Sequence, residues 1–121
     1  MGATARAESA EYPPEAHWEE CPAAEDLELP AVLHALSDPM RMRIVASLAQ
    51  EGEQACKDFD LPIVKSTCAH HFRVLRECGV IRQRVVGNTR INSLRRAELD
   101  ERFPGLLNAV LAGTEQFPAA V

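Results

Sequence analysis

The sequence predicts a mainly α domain carrying one small β-hairpin, arranged as a helix-turn-helix followed by a basic wing. Three observations predict it. LSDPMRMRIV, residues 36–45, is a capped helix start; KSTCAHHFRVLRECGVI, residues 65–81, is a helix with one apolar and one polar side; and two extended runs flank Gly87-Asn88. A capped helix of that length, with hydrogen-bonding and cationic groups on its outer side, has the dimensions of a major-groove reader.

Taken in order, residues 1–24 mix Ala, Glu and Pro with little periodicity and are expected to form a flexible acidic arm. Residues 25–113 are expected to form the folded domain, and 114–121 a C-terminal tail. A first helix begins near Leu29 or Pro30, because Leu29, Val32, Leu33 and Leu36 recur at helical spacing. It is too short to stand alone, so its stripe needs a partner. Asp38 can cap the next helix, and Pro39 fits the first position, where its missing N–H costs nothing. Met42, Val45, Leu48 and Ala49 are its expected inward face, and Gly52 its end. A brief helix over 53–59 and a link containing Pro62 lead to the reader, and these two helices make the helix-turn-helix.

The reader is expected to start at Ser66, a residue able to accept first-turn N–H groups, and to stop at Gly79. Phe72, Leu75, Val80 and Ile81 supply its docking side, while Thr67, His70 and Arg73 lie on another side at i, i+3 and i+6. Runs 81–86 and 90–94 then form a hairpin about Gly87-Asn88, bearing Arg82, Arg84 and Arg90. From Arg95 the chain returns to helix, with Leu99, Phe103, Leu106, Leu107, Val110 and Leu111 on a wide apolar face and Pro104 as a break.

Length and composition fit one domain: 121 residues, 46% apolar but only 5% aromatic, so Leu, Val, Ile and Ala must make the core. No apolar run reaches the ~18 residues a membrane span needs, and no secretory signal is visible, so a cytoplasmic, membrane-free protein is expected. The net charge of −5 is unevenly spread: residues 1–38 hold one Arg against nine acids, whereas 65–96 hold eight Lys or Arg against Glu77 alone. Because salt confines charge effects to about 10 Å, this local basic block is the relevant footprint for phosphate contact.

LSDPMRMRIVASLA, KSTCAHHFRVLRECGVI and the VVGNTRINSL hairpin together resemble the ArsR/SmtB-type regulators, over about residues 29–112. The resemblance implies a winged helix-turn-helix repressor, dimeric through its N- and C-terminal helices, on a pseudo-palindromic operator of double-stranded DNA. It places Ser66, Thr67, His70 and His71 at the DNA, with Arg73, Arg84 and Arg90 as further candidates; by their charge, Lys65 and the arginines would supply salt-dependent affinity. His71 has a second reading, as a histidine packed at the core's edge.

Many such regulators sense a metal, and here the sequence departs from the pattern. The CxC pair is reduced to Cys56, and no histidine follows residue 71. His17 and Cys21 in the arm, with Cys56, are the remaining metal candidates: an arm closing over the neighbouring subunit's third helix would resemble one family site, with ligands soft enough for zinc or nickel. Their alternative is a pair of bystanders and a small core residue. A redox-responsive regulator would use Cys68 and Cys78, and a protein-interaction module would use the acidic N-terminal third. The sequence holds no Gly-rich phosphate loop, nucleophile elbow or paired carboxylates of fixed geometry, so an enzyme is not expected.

Overall fold

The computed structural model describes residues 16–59, 61 and 63–117. The first fifteen residues of the predicted arm, Pro62 of the predicted link and the last four residues of the predicted tail lie outside the described residues. Five α-helices and a four-stranded antiparallel sheet follow in the order β1 (His17–Trp18), α1 (Leu29–Ala35), α2 (Pro39–Glu51), β2 (Gln54–Ala55), α3 (Lys65–Glu77), β3 (Ile81–Val86), β4 (Thr89–Leu94), α4 (Arg96–Arg102) and α5 (Leu106–Thr114). Single 3-10 turns sit at Ala24–Asp26 and Cys56–Asp58. Among the described residues, no helix is long and apolar enough to cross a membrane.

Local signals fix the helix ends. Asp38 caps α2, its carboxylate accepting from the N–H groups of Met40 and Arg41 at 2.8 and 3.1 Å, with Pro39 at the first turn. Gly52 ends α2 at φ 84°. After α3, Gly79 stands at φ 90°; Val80 N–H returns to Leu75 O and Gly79 N–H to Arg76 O, the paired bonds of a Schellman cap. A Cβ at Gly79 would collide with Leu27 Cδ2, so both backbone and space demand glycine. The start of α3 differs from expectation: Val64 is the cap residue and Ser66 lies inside the first turn, making no cap bond.

The wing is larger than a hairpin. β3 and β4 pair from Ile81↔Leu94 to Val86↔Thr89 around Gly87-Asn88, and two-residue strands flank them in the order β1-β3-β4-β2. β2 replaces the first half of the helix expected over 53–59, and a single 3-10 turn replaces the second. Gln54 pairs with Asn92, and Asn92 Nδ2 donates to Gln54 O at 3.1 Å, so a long-range partner draws this segment into the sheet. Residues 16–24, expected in a flexible arm, are likewise built in. β1 pairs with β3, Arg95 donates to Pro22 O at 2.7 Å, Arg102 donates to Leu27 O at 2.6 Å, and Leu27 is buried in the core.

The core joins Leu27, Val32, Ile44, Val45, Leu48, Phe72, Leu75, Ile81, Leu99 and Leu107. On α2 the inward face is Arg41, Ile44, Val45 and Leu48; Met42 is half-buried and Ala49 exposed, so the helix is rotated from the predicted face. Pro104 interrupts the C-terminal helix as expected, separating α4 from α5.

Candidate nucleic-acid interface

The docking side of α3 is set by Phe72 and Leu75, both buried, with Phe72 meeting the Phe59 ring edge-on at 5.2 Å. Helical geometry then turns Lys65, Ser66, Thr67, His70 and Arg73 outward, and all five are exposed. Among the described residues, neither Lys65 nor Arg73 makes an ion pair.

Between α3 and the wing lies a cleft of about 660 Å³ whose charged lining is Lys57, Lys65, Arg73, Arg76 and Arg90 against Glu19. Its floor is a polar ladder. Arg76 Nη1 donates to Gln83 Oε1 at 2.8 Å, Gln83 Nε2 donates to Asn92 Oδ1 at 2.8 Å, and Asn92 Nδ2 reaches Cys56 Sγ at 3.2 Å. Gln83 and Asn92 are fully buried, so these bonds satisfy groups that would otherwise be costly and fix the strands beneath the reader.

Two predicted contact residues turn inward. His71 is buried, at 8% exposure: its Nδ1 faces Arg41 Nη1 at 3.1 Å and its Nε2 faces Asp38 Oδ2 at 3.7 Å. Burial first, then Arg41 and His70, hold its pKa below the ordinary histidine value, with Asp38 opposing. Arg84 is also buried, bonded to Glu53 Oε2 at 3.2 Å and lying 5.5 Å from the Trp18 ring centre. Both corrections share one cause, since each side chain points to the protein side of its element and finds its partners there. Arg90 stays exposed but pairs with Glu19 at 2.6 Å, and Arg82 lies between Glu98 and Trp18.

Within one subunit the metal candidates do not assemble. Among the described residues, no three His, Cys, Asp or Glu side chains come together as a cation site. His17 is exposed on β1, while Cys56 accepts from Asn92 within the ladder. Cys21, Cys56, Cys68 and Cys78 are free thiols. Burial pushes the Cys56, Cys68 and Cys78 thiols above their ordinary range, which disfavours the thiolate that both metal binding and oxidation require.

Over 82 residues the chain is 33% identical to the "Uncharacterized HTH-type transcriptional regulator YceK" of Bacillus subtilis (strain 168), a match covering 65% of this chain and 82% of that protein. The chain belongs to the HTH-type transcriptional regulators. It is therefore a regulator of transcription and not an enzyme. No family model matches the chain.

Sequence reasoning missed this regulator's buried arginines. Arg41 was legible as part of a helix start and Arg84 as part of a basic wing; Arg84's burial leaves no local trace, while Arg41's leaves a slight one. The hint lies in α2's periodicity, where Arg41 takes the place one turn before Ile44 and Val45 on the apolar stripe.

Proposed function

We propose that this regulator is an ArsR/SmtB-like repressor that binds double-stranded operator DNA as a homodimer, α3 entering the major groove. The carrying observation is the exposed set Lys65, Ser66, Thr67, His70 and Arg73 on one side of α3, beside a cleft whose charged lining is cationic apart from Glu19. Thr67, His70 and Arg73 are the base-edge candidates; Lys65 and Arg90 would meet phosphate. Arg84 and His71 support the reader from within rather than touching DNA. Dimerisation draws support from α1, which leaves Leu29 and Leu33 at 41% and 46% exposure one turn apart, and from α5, whose Leu106, Val110 and Leu111 are half-buried. The folded unit corresponds to residues 25–113 extended N-terminally by the strand and loop over 16–24.

A zinc or nickel response at His17, Cys21 and Cys56 draws no support from this geometry, and the proposal does not depend on one. The test is binding to a duplex selected from random sequence. Affinity is expected to fall by roughly a thousandfold between about 50 and 200 mM salt. A complex indifferent to salt would instead favour the protein-interaction reading. Sedimentation should give a dimer that Leu29→Glu with Leu33→Glu splits.

A further inference from the structure

Arg41 sits where three helices meet. Its Nε donates to Ala35 O at 2.6 Å and its Nη2 to His34 O at 3.2 Å, both at the end of α1. Its own backbone N–H is held by the Asp38 cap of α2, and its Nη1 contacts His71 Nδ1 on α3 at 3.1 Å. A guanidinium has only donors, so the Nδ1 it faces must be an acceptor. The ring proton is then on Nε2, on the side of the Asp38 carboxylate.

We propose that Arg41 is a positioning residue of the reader, locking α3 to α1 and α2 through His71, and that proton uptake by His71 undoes the lock. The inference rests on α3 being the DNA reader. A proton on Nδ1 would place two donors face to face, lose the bond, and set imidazolium beside guanidinium. The free protein can relieve this by letting α3 shift from α2. The DNA-bound protein, whose α3 is held in the groove, cannot, so DNA selects the unprotonated form. The charged and titratable groups around the ring are Asp38 and Arg41 on α2 and His70 on α3, with the exposed His34 at the end of α1 and Cys78 beyond Arg41. Asp38 opposes the switch but stands 3.7 Å away and already accepts two backbone N–H bonds. Burial works in the same direction as Arg41, holding His71 neutral at physiological pH.

His70 complicates the readout, because an exposed imidazole near phosphate gains affinity on protonation. The comparison is therefore made between His70→Gln and His70→Gln with His71→Gln, since glutamine can accept from Arg41 but does not titrate. The probe is a duplex selected from a random library by the wild-type protein at about pH 7.5. The two proteins should bind it within about threefold at that pH. Between about pH 7.5 and 5.5, His70→Gln should lose about tenfold more affinity than the double variant, the size of one charge-assisted hydrogen bond. Arg41→Lys, unable to reach two carbonyls and a ring together, should bind weakly and show the flattened profile. Nitrogen-15 histidine spectra of the free wild-type protein need no variant, and should show His71 carrying its proton on Nε2. Parallel pH profiles, or a proton on Nδ1 at neutral pH, would overturn the lock while leaving the reader intact. If no duplex is selected at all, the reader itself is wrong.

Discussion

The reader helix and the wing are both rich in positive charge, yet they hold it differently. On α3, Lys65 and Arg73 are exposed and carry no ion pair among the described residues. On the wing each arginine is engaged: Arg84 with Glu53 and Trp18, Arg82 with Glu98 and Trp18, Arg90 with Glu19. The same residue type is therefore left exposed in one region and tied into the fold in the other. What separates the two is whether a carboxylate from elsewhere in the chain can reach the guanidinium. β1 and the loop before β2 bring Glu19 and Glu53 to the sheet, whereas among the described residues no ion pair reaches Lys65 or Arg73 on the outer side of α3.

The joint between the two regions is the first place to break the comparison. Gly79 turns the chain from reader into wing at φ 90°, against Leu27. Gly79→Ala adds left-handed strain and a steric clash, each costing roughly 1–3 kcal/mol, so a melting temperature lower by several degrees is expected. An unchanged melt would mean that the angle between reader and wing is not fixed by this turn.

That joint was legible in the sequence because its cause is local, as were the Asp38-Pro39 start, the Gly87-Asn88 turn and the Pro104 break. The exposed row on α3 followed from helical spacing alone. What stayed hidden depended on distant partners. The segment over 53–59 reads as helix until Asn92 supplies a strand to pair with, and residues 16–24 read as a loose arm until Arg95 and the edge of β3 hold them. His71 and Arg73 are two residues apart with similar polar character, but His71 lies one turn before Leu75 on the buried side, where Arg41 and Asp38 meet it. Net charge could locate the basic block but could not tell which of its arginines already had partners.

Arg73 and Arg84 give the sharpest contrast, because the two basic regions should fail in different assays. Arg73→Ala should lower operator affinity by about tenfold or more, the worth of one good base-edge or phosphate contact, while leaving the melt unchanged. Arg84→Ala removes a buried side chain packed on Trp18 and should lower the melt first, with DNA affinity following only as the fold loosens. Thermal unfolding and fluorescence anisotropy on both variants separate the two. If Arg84→Ala lost affinity with its melt intact, the wing would be reading DNA directly and the contrast would collapse.

The smallest expected effect tests whether the wing's remaining exposed cation can be released. Arg90 is half-exposed and lies at the cleft rim, so its pairing with Glu19 competes with any phosphate that enters. Glu19→Gln keeps the side chain's length and its ability to accept a hydrogen bond but removes the charge. An exposed ion pair is worth less than about 1 kcal/mol, so affinity should rise by only about two- to fivefold, and the gain should shrink as salt is added. The direction is the informative part. An increase means that Glu19 and DNA phosphate compete for one guanidinium, which makes Arg90 part of the interface. A decrease would mean that Glu19 holds Arg90 in the orientation DNA requires, and the wing would then be architectural throughout.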